Sequence, residues 1–556
     1  MTARHTLVVG AGPGGLSAAA AALAAGARVT LIDSAEQPGG QYNRALPDAY
    51  AAARPDRVQH DWDRFDALRR RVLTHPRCTW WSGTEVWALE RQAHEAAGPP
   101  TVHVAHGPAD GSARRRSTVT PDALVLAVGA HDRVLPFPGW QLPGVFTAGA
   151  AQAMVKGERV VLGNQVVVAG TGPFLLPVAD SLLEAGSSVI EVLEASTRGA
   201  AARGWLRRPW ELAAQAGKGG ELLEYGAALA RHRVPYRFGR AVTEVRGDGR
   251  AEEAVTARVR QDWSVVPGTE RVLPVDAVCV THGFSPLLEL PLAAGCALGP
   301  GPSTVPGDEF VTVDGDQHTS VRQVYAAGEI TGVAGAPAAR AEGAVAGWIA
   351  GGGDPGHPAL RALRRKRDQG RAFARRLALA HAVGGAWPGW LRPETVICRC
   401  EGASYASVCR AAEGAEGADA RAAKLGTRAG LGPCQARVCG PTVAELRRRA
   451  QGDGPAPPVP GLPAASPHHR PIAQPIRLGE LAQAPLDAPP HGPVPDSDLG
   501  PGPGAHPDPD PHPDPDPAPD SGPHLPHSPQ PPHPPHPPHP PHPPHPPHDG
   551  TKEKRQ

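Results

Sequence analysis

Short apolar runs alternate with helical stretches over most of the chain. Thr6–Val9 is apolar, a glycine-rich turn follows, then an alanine-rich stretch from about Leu16 to Ala25, then the apolar run Arg28–Ile32. This order predicts a strand, helix, strand unit of a parallel sheet. The pattern returns at Gln165, with the run VVVAG, a turn at Gly170–Pro173, a helical stretch to about Ala185 and the run VIEVLE ending at Glu194. Further strands are predicted at Ala123–Ala130, Ala277–Gly283 and within Val324–Gly332, and a helix at Ala338–Ala350. Arg114–Arg116, between the two units, reads as a surface excursion, and Pro358–Ala382 as a basic helical connector packed on a neighbouring domain.

Composition divides the chain in two. Of its 67 prolines, 37 lie between Gln451 and Gln556, so the part before residue 450 can be globular and most of the remainder cannot. The expected organisation is a nucleotide-binding domain over 1–150, a second dinucleotide-type domain over 151–290, a return to the first over 291–352, a connector over 353–395, a cysteine module over 396–450, a docking segment (RPIAQPIRLGELA) within 451–483 and a disordered tail over 484–556. In that tail six Pro-Pro-His units would place histidines about 9 Å apart on a polyproline helix, too far for neighbours to chelate one ion. The tail reads as a dispensable extension.

Lys plus Arg is 56 and Asp plus Glu is 55, which argues against a nucleic-acid binder. Eight cysteines are too few for a secreted disulfide framework, and four crowd between Cys398 and Cys439, a pattern of metal ligation in a reducing compartment. Cytoplasm is the expected location. The glycines at 10, 12, 14 and 15 argue against a signal peptide, and no run is long enough for a transmembrane span.

Gly10-Ala-Gly12-Pro-Gly14-Gly15 fills G-x-G-x-x-G between a strand and a helix, and Asp33 closes the next strand. Gly10 permits the tight turn, Gly12 lets a pyrophosphate approach the backbone, Gly15 lets helix and strand pack closely, and the carboxylate can accept from ribose hydroxyls. The second motif, Gly170-Thr-Gly172-Pro-Phe-Leu175, loses its third glycine, and a leucine there should push the helix away from its strand. Glu194 would favour a ribose 2′-hydroxyl if a dinucleotide bound. The fold class is therefore α/β, two tandem Rossmann-like domains, with NAD(P) at the second left open. No C-x-x-C pair precedes residue 396, so dithiol chemistry lacks its group.

Which nucleotide binds first comes from resemblance. Pro38–Tyr42 (PGGQY), the LVLAVGA strand and Thr319–Ile330 (TSVRQVYAAGEI) resemble the FAD signatures of flavoproteins related to glutathione and thioredoxin reductases. The resemblance implies FAD held by Gly10, Gly12, Gly14, Gly15, Asp33, Gly40, Gln41, Arg44, Gly129, Gly328 and Glu329, with Glu329 where Asp is commoner and Tyr42 beside the flavin.

Cys398-Arg-Cys400 and, 33 residues on, Cys434-Gln-Ala-Arg-Val-Cys439 offer four soft thiolates for an iron-sulfur cluster or zinc. The spacing, with GLGPCQARVCGP around the second pair, resembles the bacterioferritin-associated ferredoxin-like [2Fe-2S] domain, which implies Cys398, Cys400, Cys434 and Cys439 as its ligands. Arg399, Lys424, Arg428 and Arg437 could offset cluster charge. Cys78, Cys279, Cys296 and Cys409 read as core thiols.

The order of parts over about residues 5–483 resembles the FAD and [2Fe-2S] (alpha or B-type) subunits of hydrogen cyanide synthase, opine oxidase and D-hydroxyproline dehydrogenase. Membership implies a hetero-oligomer with an amino-acid-oxidase-like flavoprotein subunit that oxidises a carbon–nitrogen bond, this chain relaying the electrons. No proton-transfer residue is required here, and His131 reads as a hydrogen-bonded loop histidine. Two other readings stand beside it: a self-contained NAD(P)H-dependent reductase, and a non-enzymatic metal-handling protein with zinc on the four cysteines.

Overall fold

The computed structural model describes residues 3–46, 59, 61–91, 98–109, 111, 114–207, 216–305, 307–413, 420–451 and 473–486. The low-complexity tail beyond 486 lies outside the described residues.

Two five-stranded parallel sheets organise the chain. The first runs Val324–Ala326, Ala123–Leu126, His5–Val9, Arg28–Ile32, Cys78–Trp81, with Val8 paired to Leu31 and Val125. Its central strands are buried on both faces, which is why they read as continuous apolar runs rather than alternating ones. The second sheet runs Tyr236–Phe238, Val189–Glu194, Val166–Gly170, Ala277–Thr281, Val145–Thr147. The α/β expectation holds, and Arg28–Ile32 and Val189–Glu194 fall where their apolar runs predict.

Helix Pro13–Ala24 has proline in its first turn, where the missing N–H costs nothing. It packs unusually close to helix Ala336–Ala350: a Cβ on Gly343 would come 1.9 Å from the Gly14 carbonyl oxygen, and one on Gly347 would come 2.0 Å from that of Ala18. Alanine and glycine thus let the returning chain press against the first nucleotide turn. The second motif opens its helix later along the chain. Its helix begins at Leu175, three residues past Gly172, whereas the first begins at Pro13, one past Gly12.

Arg114–Arg116 is not a surface excursion. Residues Arg115–Val119 form a strand of an antiparallel sheet with Thr84–Glu90 and Thr101–His106, and Arg114 is 4% exposed. Its guanidinium donates to Glu85 Oε2 at 2.7 Å and, through Nε and Nη2, to both carboxylate oxygens of Glu480 at 2.9 Å. Arg116 Nε donates to the Glu480 carbonyl at 2.8 Å, and Leu486 N to the Arg116 carbonyl at 2.7 Å. A basic triplet looks like surface until its partner, 366 residues away, is seen.

The connector helix, Pro358–Ala380, lies against Ala336–Ala350 and against helix Arg198–Leu206 of the second unit. A Cβ on Gly204 would meet Ala380 Cα at 2.3 Å, so this contact exists only because residue 204 lacks one. The segment carrying the cysteines shares its core with the second sheet: Trp263 stacks on Trp390 at 5.7 Å, and Ile397, Val408 and Leu446 join the same cluster. Among the described residues no helix is long and apolar enough to cross a membrane.

Candidate functional site

A cavity of about 1010 Å³ runs from the first glycine turn to the second sheet. Gly10, Gly12, Gly14, Asp33, Gly40, Gln41, Tyr42, Arg44, Gly129, Gly328 and Glu329 all line it. Gly15 does not; it sits beneath, where a Cβ would come 1.6 Å from the Gly10 carbonyl oxygen. Gly40, at φ +59°, faces Gly12 so closely that a Cβ would lie 2.8 Å from its Cα. Gly12 itself meets nothing nearer than 3.8 Å, so the two bare turns leave a cradle that a side chain would fill. A pyrophosphate fits such a cradle, with the N-terminus of helix Pro13–Ala24 favouring its charge.

Asp33 is aimed by two backbone amides, Ala11 N at 2.5 Å and Ala35 N at 2.8 Å. Burial nevertheless raises its carboxyl above the ordinary range against those two bonds. Glu329 accepts from Gly335 N at 2.9 Å. Behind it stands Glu342, buried, which accepts from Gly328 N at 2.9 Å and Thr331 Oγ1 at 2.7 Å and pairs with Arg371 at 3.0 Å. No motif marks Glu342, yet it fixes the Gly328–Glu329 turn.

Sequence reasoning also missed Lys156. It lines the cavity from a π-helical turn, Ala153–Gly157, and is 7% exposed. Burial, reinforced by the charge of Arg44, pushes its ammonium down to about 8. Burial likewise lowers Arg44, opposed by Asp132.

At the second glycine turn Thr171, Gly172 and Phe174 line the same cavity, but the acid behind them is engaged. Glu194 is 0% exposed and accepts from Gly172 N at 2.8 Å, Ser196 N at 2.8 Å, Thr171 Oγ1 at 3.0 Å and Tyr236 OH at 3.3 Å. His381 Nδ1, at the end of the connector helix, stands 3.2 Å from its other face. Trp205 Nε1 donates to His381 Nε2 at 2.9 Å, and Thr171 Oγ1 lies 3.3 Å from the His381 carbonyl. Burial would raise Glu194, but His381 and the two amides outweigh it and hold the carboxyl below the usual range. The acid that a bound dinucleotide's ribose would need is engaged inside the protein.

In the cysteine module, Cys398 and Cys439 are buried, Cys434 half-buried and Cys400 exposed. Among the described residues no group of three or more His, Cys, Asp or Glu is placed to hold a metal ion. The four thiols lie near enough to influence one another, Cys400 with Cys434 and Cys398, and Cys439 with Cys398 and Cys434. Burial raises Cys400 and Cys439, and their thiol neighbours raise both further. The loop between the second pair is strained, with Gln435 at φ +49° and Ala436 at φ +68°. Of the four nearby cations, Arg428 is paired with Glu401 at 2.7 Å and Arg437 with Glu289 at 2.9 Å, so both are already neutralised by carboxylates. Cys279 and Cys296 are buried core thiols as expected, while Cys78 and Cys409 are half-buried.

Residues 4–343 match the family model described as pyridine nucleotide-disulphide oxidoreductase. The chain belongs to that family. It is an FAD-dependent oxidoreductase of that family. An opine oxidase subunit of Rhizobium meliloti is 33% identical over 87% of this chain and 88% of its own length. Hydrogen cyanide synthase subunit HcnB of Pseudomonas aeruginosa is 30% identical over 80% and 93%. Among solved structures, L-proline dehydrogenase from P. horikoshii superposes with a TM-score of 0.59 at 17% identity, over 87% of this chain and 81% of that one, a likeness of fold.

Proposed function

We propose that this chain is the electron-relaying subunit of an amine or amino-acid dehydrogenase. A partner flavoprotein oxidises the carbon–nitrogen bond, and this chain passes the electrons on through FAD and a [2Fe-2S] cluster. The observation that carries the reading is the engaged acid of the second turn. With Glu194 held by Thr171, Gly172, Ser196, Tyr236 and His381, its carboxylate is not free for a ribose hydroxyl, which weakens the hold of NAD(P)H at that turn. This favours reducing equivalents that arrive from another protein. The names of the relatives, one a subunit of an oxidase and the other a subunit of a synthase, support an assembly of unlike chains.

FAD supplies an acceptor that takes electrons in pairs and can release them singly, and a two-iron cluster supplies a one-electron carrier. The chain's own part is to hold and orient. Gly10, Gly12 and Gly14 would offer backbone N–H groups to the pyrophosphate and Asp33 would accept from the ribose, while Gly328 and Glu329 line the same cavity in a turn held by Glu342. Gln41 and Arg44 border the same space. Cys398, Cys400, Cys434 and Cys439 would hold the cluster. No side chain needs to move a proton for bond cleavage in this subunit.

Anaerobic purification followed by absorption spectroscopy and metal analysis tests the reading. Flavin bands with about two irons and two sulfides per chain are expected, together with zinc-free protein. NADH or NADPH alone should leave the flavin oxidised, and an amino acid should bleach it only when the partner is present. Bleaching by NADPH alone would overturn the reading in favour of a self-contained reductase.

A further inference from the structure

We propose that the large cavity contains, apart from the phosphate cradle, a second anion subsite made by Lys156 and Arg44, and that its ligand is the carboxylate of a small organic acid with an apolar body. This goes beyond the proposed function, which places the substrate on a partner.

An ammonium taken out of water is costly unless an acceptor or a carboxylate meets it. Lys156 lines the cavity at 7% exposure, yet among the described residues it forms no hydrogen bond and no ion pair. Arg44 repels its charge, and Asp180, on helix Leu175–Glu184, favours it from a distance. Arg44 lines the same cavity. One side of its guanidinium donates to Gln41, while its Nε is buried with no partner among the described residues. Asp132 attracts Arg44, but it is spent on Gly149 N, from which it accepts at 3.0 Å. Two cations in one buried wall, neither matched by a carboxylate, lack an anion, and a buried polar group without its partner marks a place for a ligand.

The subsite is distinct from the cradle. The cradle lies at the N-terminus of helix Pro13–Ala24, on the first sheet, whereas Lys156 comes from the π-helical turn Ala153–Gly157, which follows the edge strand Val145–Thr147 of the second. Single π-turns recur at functional sites because they re-aim a side chain within a helix. A carboxylate suits the pair, since its two oxygens can take a guanidinium N–H and an ammonium N–H together. Phe174 and Tyr225 line the same cavity and give an apolar body a surface to pack on.

The test uses the full-length chain as purified, as wild type, Lys156→Met and Lys156→Arg. Benzoate is the probe, benzamide its neutral counterpart and inorganic phosphate the competing anion. In calorimetric titrations benzoate should bind wild type, bind Lys156→Met about tenfold more weakly, and recover most of its affinity in Lys156→Arg. Benzamide should bind weakly to all three. The chain has six lysines, so methylating them with isotope-labelled formaldehyde, which keeps their charge, gives a magnetic resonance spectrum in which the signal missing from Lys156→Met identifies the residue. Its titration midpoint, about 8 without ligand, should rise by about one pH unit in saturating benzoate, the shift that a tenfold preference for the charged form produces. Bound flavin should be equal in the three proteins. Equal benzoate affinity in all three, or a midpoint that benzoate does not move, overturns the proposal. Displacement of benzoate by phosphate at equal concentration overturns the carboxylate assignment, and loss of flavin from Lys156→Met returns the residue to the nucleotide cradle and overturns the second subsite. The proposed function stands or falls separately, on the iron, sulfide and nicotinamide measurements.

Discussion

The two nucleotide-type folds of this chain share strand order around the turn, a glycine pair and an acid at the end of the next strand, yet the acid of one is sparsely held and that of the other enclosed. Around Asp33 two backbone amides are the support among the described residues, and burial raises its carboxyl. Around Glu194 two amides, two hydroxyls and an imidazole converge, and the carboxyl is lowered. The same acid position is thus short of donors in one fold and saturated in the other. A short-handed acid suits a site that a ligand completes, and a saturated one suits a structural joint. What packs on the turn decides its use, and on the second turn the connector helix does the packing.

The largest effect expected from breaking this contrast is at the joint. Glu194→Ala leaves His381, Thr171 and Tyr236 without their buried acceptor and should destabilise the fold by about 3–5 kcal/mol, read as a lower denaturation midpoint. Flavin content per folded chain should stay unchanged. Asp33→Ala should do the reverse, with a small loss of stability and a clear loss of bound flavin.

Filling the open cradle comes next. Gly12→Val places methyl groups in the gap between the two bare turns and should weaken FAD binding by about 1–3 kcal/mol, measured by titrating apoprotein with FAD. The matching change on the second turn, Gly172→Ala, meets φ +97° and should cost about 1–2 kcal/mol of stability while leaving flavin affinity as it was.

Acid titration sharpens the contrast with opposite signs. Glu194 has a folded pKa below its ordinary 4.5, so its contribution to stability is present above that value and is lost as pH falls through the lower folded one. Asp33 has a folded pKa above its ordinary 3.8, so its contribution is present below 3.8 and is lost as pH rises through the raised value. Ribose hydroxyls donate to the ionised form, so FAD affinity should climb across the acid range and level off once Asp33 is ionised. Trp205, beside His381, gives a fluorescence signal for the opening of the joint below the Glu194 transition. The effect should be modest and vanish in Glu194→Gln.

Much of this was legible in residue order because it is local. Arg28–Ile32 and Val189–Glu194 are strands whose whole length is buried or nearly so, and burial on both faces writes itself into the chain as an apolar run. The glycine turn is legible for the same reason: Gly10 and Gly15 are five positions apart and constrain each other directly. The late start of the second helix, at Leu175, was not legible in this way. Lys156, Glu342 and His381 carried no such mark, because a single charged residue on a helix looks like surface until its surroundings are known.

Residue order by itself determined two α/β units, a bare phosphate cradle with its acid, and four thiols at a cluster spacing, since each depends on contacts a few residues apart. Tertiary structure decided the rest. It laid the connector helix over Gly172, paired Arg114 with Glu480 across 366 residues, and brought the Arg437 carbonyl to His131 across 306. Such contacts depend on where whole helices and loops come to rest, and that is settled by packing of the entire core, which no local pattern encodes.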